Sequence, residues 1–188
     1  MRGLGLLCAE EPAHAAVVLF GQQQNFLPNY PQCLLRMARF SGVTKSEFID
    51  NRQEHGNIFE LMRHAQNFLR SHLPVAGKIS ANSFERDDVP LYPTEALREA
   101  LANAFCHRDY AVQGGAVSLS IFDDRLEISN PGKLPPGMDV ADLTLPHSSR
   151  PTNPLIANVL FRRGVIESWG RGTNRIVDLT TQAGLRLE

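Results

Sequence analysis

The stretch TEALREALANAFCHRDY, residues 94–110, carries the strongest pattern in this chain. Apolar residues recur through it at helical spacing, so they share one face. That face consists of Ala96, Leu97, Ala100, Leu101, Ala104 and Phe105. Thr94 belongs to a residue type that caps helices, and we expect a helix from Thr94 to about His107. The opposite face of this helix carries Glu95, Glu99 and Asn103.

Upstream of this helix, the sequence alternates between strand and helix signals. Residues 15–20 and 33–40 are short apolar stretches bounded by Gly and Pro, which is typical of strands, and we expect them to pair. Apolar residues at helical spacing predict a helix between 57 and 73. A polar segment that ends in prolines indicates a domain boundary or a long connection near residues 75–92.

Downstream, residues 117–122 and 126–129 flank a polar turn and predict a hairpin. The segment 130–154 contains six prolines and two glycines. A loop of this length is uncommon inside a compact domain unless it is functional, for example as a lid over a ligand. Helices are predicted over residues 155–163 and from about 172 to 184.

Composition narrows the class of protein. The 188 residues suffice for one medium domain, or for one domain and part of a neighbour. No apolar run approaches the roughly 18 to 20 residues of a membrane span, so we expect a cytoplasmic protein without a membrane partner. The net charge of −1 argues against a basic nucleic-acid surface. Three widely spaced cysteines suggest buried thiols rather than a disulfide framework or a zinc site.

Three nucleotide-binding motifs fail on inspection. The Gly-Lys-Ile sequence at 77–79 lacks the Ser or Thr that ends a Walker A motif. His-Arg-Asp at 107–109 looks like a kinase catalytic loop, but position 114 is glycine instead of asparagine. Gly-Arg-Gly at 170–172 could open a Rossmann fingerprint, but position 175 is arginine.

Glu99 and Asn103 are four residues apart, so a helix places both side chains on one face, one turn apart. A carboxylate can orient and deprotonate an attacking water, and an asparagine oxygen can bind a Mg²⁺ that bridges phosphates. The pair therefore suits phosphoryl transfer to water. Taken alone, such a pair is more often the solvated face of an amphipathic helix.

In their order along the chain, these elements resemble the GHKL family of ATPases, which includes gyrase, Hsp90, MutL and the histidine kinases. Glu99 and Asn103 match the family's N box. The run LEISNPG at 126–132 resembles the strand that enters the D-x-G-x-G box, and GRGTN at 170–174 resembles the later glycine box. The likeness is closer still to bacterial RecG-like, helicase-related transcriptional regulators, whose run EALREALxNAxxHRDY is present at 95–110.

The resemblance implies an α/β fold of the α+β two-layer sandwich type, with helices on one face of a mixed, mostly antiparallel sheet. It extends from about residue 13 to the end of the chain. Residues 1–77 would be the C-terminal part of, or the connection from, a preceding Alba-like Schlafen domain. Residues 78–188 would be the nucleotide-binding domain.

The resemblance also implies ATP and Mg²⁺ as cofactors, with Glu99 as the catalytic residue and Asn103 as the metal ligand. The residues implied in cofactor binding are Asn103, His107, Asn130, Gly132, Arg150, Gly170, Gly172 and Thr173. Asn130 stands at the family's adenine-binding aspartate and can accept a hydrogen bond from the adenine amino group without a charge to strengthen it.

Each of the remaining elements also has a simpler interpretation. Residues 130–132 suit an ordinary turn, and the glycines at 170 and 172 suit a loop before a helix. Arg150 either reaches a phosphate from the lid or is a solvated loop charge.

Two functions of different class stay open at this point. The first is an ATP-binding module, with hydrolysis undecided, that gates neighbouring DNA-binding domains. The second is a catalytically inactive interaction domain with the same fold. A helicase is disfavoured because the chain has no Walker A motif. DNA would be contacted through domains outside this chain, and a homodimer is left open.

Overall fold

A four-stranded mixed sheet lies at the centre of this computed structural model, which describes residues 2–9, 11–79, 86–145, 150–166 and 172–188. The strands are β1 (Leu7–Cys8), β2 (Glu11–Pro12), β3 (Leu34–Phe40), β4 (Phe48–His55), β5 (Val75–Ile79), β6 (Arg86–Pro90), β7 (Val117–Ile121) and β8 (Leu126–Ser129). The helices are α1 (His14–Phe20), α2 (Ile58–His72), α3 (Thr94–His107), α4 (Pro154–Arg162) and α5 (Gly172–Gln182). Short 3₁₀ turns lie at Arg2–Leu4, Gln23–Asn25 and Val140–Thr144.

The central sheet has the strand order β4-β3-β7-β8. β3 is antiparallel to β4 and parallel to β7, and β7 is antiparallel to β8. The expected mixed, mostly antiparallel sheet is therefore confirmed. β3 precedes residue 77 in the sequence and β7 follows it, yet the two strands pair with each other. Residues 1–77 and 78–188 therefore share one sheet. The assignment of residues 1–77 to a preceding Alba-like domain stays a prediction.

The helices cover one face of this sheet. Leu35 and Met37 of β3 and Leu119 of β7 join a core that also contains buried residues of α1, α2, α3 and α4. Side chains alternate across a strand, so Ala38 and Phe40 point to the other face, where they form a small cluster with Phe122. This two-layer arrangement agrees with the predicted fold class.

Helix α2 shows how local sequence sets an element's start. The Asn57 side chain accepts a hydrogen bond from the Glu60 amide at 3.0 Å, and the Glu60 carboxylate accepts one from the Asn57 amide at 3.3 Å. This reciprocal capping box satisfies two backbone donors that the helix itself leaves without partners. The helix expected between residues 57 and 73 is confirmed.

Helix α3 covers residues 94–107 as expected, but Thr94 does not cap it. Pro93 occupies the capping position, and Thr94 is the first helical residue, with no side-chain cap. Proline tolerates a helix start because its missing N–H would have had no partner there. The predicted hairpin and the helices before and after residue 164 are confirmed within two residues at each end.

The structure of the N-terminal half departs from the sequence-based expectations in four places. Residues 15–20 belong to α1 rather than to a strand, because a short apolar run does not distinguish the two structures. β4 was missed since it is an edge strand without apolar alternation. β5 and β6 pair antiparallel in the stretch where a domain boundary or a long connection was expected. Cys33 and Cys106 are buried, but Cys8 is exposed.

Candidate functional site

A cavity of about 430 Å³ lies between the polar face of α3, the turn after β8, the proline-rich segment and the first turn of α5. Every predicted site residue that the structure describes lines it, namely Glu99, Asn103, His107, Asn130, Gly132, Arg150, Gly172 and Thr173. Gly170 lies outside the described residues. Side chains taken from separate motifs thus meet at one place, while the role assigned to each stays a prediction.

Glu99 and Asn103 form the α3 wall of this cavity. Glu99 is only 3% exposed, so its interpretation as part of a solvated helix face is wrong. The Asn103 amide makes no hydrogen bond to the described part of the chain, and it is available to a ligand. Burial, and then the charge of Glu99, raise the pKa of the neighbouring Cys106 thiol to about 12. The wall therefore combines a buried acid with a neutral amide and a thiol that stays protonated.

Gly172 explains how Glu99 becomes buried. It is the first residue of α5, and a Cβ built on it would collide with the Glu99 carboxylate and lie 3.3 Å from Asn103 Nδ2. Any other residue would force the two helices apart or displace the acid. Glycine at this position allows the backbone of α5 to approach the side chains of α3 closely.

The turn at 130–132 packs against the C-terminal end of α3. The Asp109 amide donates to the Pro131 carbonyl at 2.7 Å, and a Cβ on Gly132 would lie 2.7 Å from the His107 carbonyl oxygen. Asn130 Nδ2 donates to the Pro131 carbonyl at 3.2 Å. This bond uses one of the two N–H donors of the Asn130 side chain, and it leaves Oδ1 to accept from a ligand.

His107, Arg108 and Asp109 at the end of α3 have different environments. His107 lines the cavity, whereas Arg108 is 1% exposed and points elsewhere. Arg108 donates to the Gly115 carbonyl at 2.6 Å and lies over the Tyr110 ring at 4.8 Å. Burial lowers the pKa of Arg108. Arg108 is thus a structural residue, which the sequence pattern alone did not distinguish from its neighbours.

Two cations and a hydroxyl face the remaining sides of the cavity. Arg150 and Lys133 are exposed at its edge and can neutralise an anionic ligand. Thr173 Oγ1 is buried and finds no hydrogen-bond partner among the described residues. Because a buried hydroxyl without a partner is unfavourable, Thr173 is suited to bind a ligand group. Thr173 also lies in the first turn of α5, where backbone amides favour anions.

Glu95 shares a face of α3 with Glu99 but has another task. The Arg175 guanidinium donates to its two carboxylate oxygens at 3.0 and 3.1 Å. Hydrogen bonding from Arg175 lowers the pKa of Glu95. This exposed ion pair links α3 to α5 one turn away from Gly172, and it supports the approach of the two helices.

The donor set suits a magnesium ion that comes with its ligand. The described residues contain no group of three or more His, Cys, Asp or Glu side chains that could hold a metal. Mg²⁺ is commonly held by one or two protein oxygens together with phosphates and waters. The cavity therefore fits a magnesium nucleotide better than a bare metal. It offers the Asn103 side chain, the unpartnered Thr173 hydroxyl and the backbone of Gly172, which lies close to Glu99.

Sequence reasoning missed the apolar lining and one polar residue. The apolar lining includes Ile128, Leu134, Met138, Leu143, Ile166 and Ile176. The apolar residues of the proline-rich segment were the available signal, since a solvated loop has no need of them. Asn153 was also missed. Its side chain donates to the carbonyls of Cys106 and Arg108 at 2.8 and 2.7 Å.

Comparison with known proteins agrees with this geometry at a coarse level. Residues 114–187 match the family described as "Putative ATP-dependent DNA helicase recG C-terminal". The match shows that this part of the chain, which is less than half of its length, is similar to that family. It includes Asn130, Arg150 and Thr173, whereas Glu99 and Asn103 precede it.

The fold itself recurs in a solved structure. The DIP2311 protein from Corynebacterium diphtheriae superposes on 98% of this chain with a TM-score of 0.79 and 21% sequence identity. The match covers 36% of that protein, so this chain spans about a third of its length. No significant match to this chain was found among curated proteins. No helix in the described segments is long and apolar enough to cross a membrane.

Proposed function

We propose that this chain is an ATP-binding module of the GHKL type, which holds a magnesium nucleotide in the cavity beside α3. The observation that carries the proposal is the meeting of separately predicted motifs at one cavity. Two details add to it. The buried Thr173 hydroxyl has no partner in the described chain, and Gly172 lies directly against Glu99.

Different residues of the cavity would bind the phosphates and the base of the nucleotide. Gly172 and Thr173 at the start of α5, with Arg150 and Lys133 at the edge, would bind the phosphates. The Asn130 oxygen would accept a hydrogen bond from the adenine amino group. Its lack of charge weakens this contact, so we expect micromolar affinity at best.

Hydrolysis would depend on the α3 wall. Asn103 would provide an oxygen ligand to Mg²⁺, which when bound neutralises charge on the phosphates. Glu99 would orient a water molecule and accept its proton as the water attacks the terminal phosphate. The buried position of Glu99 keeps its carboxylate within the cavity and away from bulk solvent.

We further propose that nucleotide binding regulates neighbouring domains. The net charge of −1 argues against a strongly basic surface on this chain, so DNA would be contacted by domains outside it. Described residues of the proline-rich segment line one wall of the cavity. This segment would act as a lid whose position depends on whether nucleotide is bound. A cytoplasmic location and a homodimer belong to this proposal and stay untested.

A catalytically inactive interaction domain is the second candidate, and Asn130 favours it. Calorimetric titration with ATP and ADP, with and without Mg²⁺, separates the two candidates. We expect saturable binding that requires Mg²⁺ for full affinity, and it should weaken in Asn103→Ala but not in Asn67→Ala on the exposed side of α2. Absence of binding at millimolar nucleotide would overturn the ATP-binding proposal and favour the inactive domain.

A further inference from the structure

Asn153 lies where the proline-rich segment enters α4, at the position that precedes the first helical residue. An asparagine there ordinarily accepts a hydrogen bond from its own helix. In this structure its side chain makes no such cap. The amide donates instead to the Cys106 and Arg108 carbonyls, at 2.8 and 2.7 Å.

These two carbonyls belong to the end of α3, where a helix leaves its last carbonyl groups without internal partners. The Asn153 backbone amide also donates to the Cys106 carbonyl at 3.2 Å. Three hydrogen bonds from one residue therefore join the start of α4 to the end of α3. His107, which lies between the two acceptor residues, lines the cavity.

The residues just before Asn153 line the same cavity as His107. Arg150 and Pro151 line the cavity, and Pro151 and Pro154 restrict the backbone on both sides of Asn153. Three residues of chain reach at most about 11 Å, so Arg150 is held close to the point where Asn153 is fixed. The Asn153 hydrogen bonds therefore restrict the backbone from which the Arg150 side chain extends.

We propose that Asn153 is a positioning residue for the ligand cavity. Asn153 fixes the Arg150–Pro151 wall to the end of α3, and it acts on ligand binding through Arg150. This inference rests on the proposed nucleotide-binding function. Arg150 is exposed and has a long flexible side chain. Fixing its backbone in advance lowers the backbone conformational entropy that is lost when Arg150 binds a phosphate.

The test is a double-mutant cycle of Asn153→Asp and Arg150→Ala, read with Mg²⁺-ATP and with adenosine as a phosphate-free probe. Aspartate keeps the size of asparagine but removes both donors and faces two carbonyl oxygens. Asn153→Asp should weaken ATP binding about tenfold and change adenosine binding less than about twofold. In the Arg150→Ala background, the same change should weaken ATP binding by less than about twofold.

Two further variants keep the cycle interpretable. Asn158→Asp makes the same chemical change at an exposed position one turn further along α4, and it should leave both affinities unchanged. Asn153→Ser keeps one neutral donor and should give an intermediate loss of ATP affinity, even if the aspartate variant folds poorly. Equal losses for ATP and adenosine, or full additivity with Arg150→Ala, would assign Asn153 a purely structural role and overturn the proposal.

A ligand-free measurement separates this proposal from the function on which it rests. Amide hydrogen exchange in Asn153→Asp should become faster over residues 150–157 and stay unchanged in α2. Unchanged exchange over 150–157 overturns the proposal that Asn153 fixes this wall, whether or not nucleotide binds. If the wild-type chain bound no nucleotide, the proposed function would fail and the positioning role with it, although faster exchange would still show the contact between α3 and α4.

Discussion

Replacing Gly172 by alanine changes the contact on which the candidate site depends most. An added Cβ would overlap the Glu99 carboxylate oxygen, and it would lie 3.1 Å from the carboxylate carbon and 3.3 Å from Asn103 Nδ2. The atoms in the way are ends of side chains rather than backbone, so we expect the side chains to yield. Glu99 would shift toward the cavity, by about 1 Å.

The cost to folding should be small. Overpacking of this kind costs about 1–3 kcal/mol, and exchanging glycine for alanine in a helix returns up to about 1 kcal/mol. A net loss of no more than about 3 kcal/mol lowers the melting temperature by at most about 12 °C in a chain of this size. The cost to chemistry should be larger, because a 1 Å displacement of a catalytic group can cost on the order of 10²-fold in rate.

The assay is steady-state phosphate release from ATP, with calorimetry for binding and thermal unfolding for stability. Gly3→Ala is the matched control, because nothing lies within 4 Å of a Cβ at that position. We expect Gly172→Ala to hydrolyse ATP at least about tenfold more slowly than this control while remaining folded. Equal rates in the two variants would show that Glu99 is not the group that acts on the attacking water, and would refute the reasoning.

Three further substitutions and one labelling experiment test other parts of the site. Glu99→Gln should spare nucleotide binding and lower hydrolysis by roughly 10²-fold or more, and a loss of binding or of folding would contradict its role as a base. Asn103→Ala should weaken Mg²⁺-dependent binding itself, as seen by titration against the Asn67→Ala control, and an unchanged affinity would remove it as a ligand. Asn130→Asp should raise ATP affinity several-fold by adding charge to the adenine contact, whereas unchanged affinity would place the base elsewhere. The Cys106 thiol should resist iodoacetamide at pH 8 because its pKa is raised to about 12, and rapid labelling detected by mass spectrometry would contradict its burial beside Glu99.

The part of the site that lies on one helix could be predicted from sequence. The four-residue spacing of Glu99 and Asn103 fixes their common face, whatever packs against them. The turn at 130–132 and the start of α5 could be predicted through their order along the chain. These features depend on local geometry and on sequence motifs, which is why they were accessible.

Features that depend on tertiary contacts were not accessible. The burial of Glu99 requires α5 to cross α3 at Gly172, and the environment of Arg108 requires the Gly115 carbonyl. Neither contact leaves a local pattern. β4 escaped prediction for a related reason, because an edge strand exposed along most of its length needs no apolar alternation.

The contact between Glu99 and Gly172 is constrained more strictly by the structure than the turn at Asn130. This difference bears on the choice between an active and an inactive module. Burying the Glu99 carboxylate costs free energy of folding, and an apolar residue could fill the same space more favourably. Gly172 has to remain glycine to permit this burial. A domain kept only for its surface contacts gains nothing from such an arrangement. The Asn130 side chain, in contrast, makes one hydrogen bond within its turn, to the Pro131 carbonyl, and its oxygen carries no charge. This difference supports the proposal of a weak nucleotide-binding module over that of a fold without a ligand.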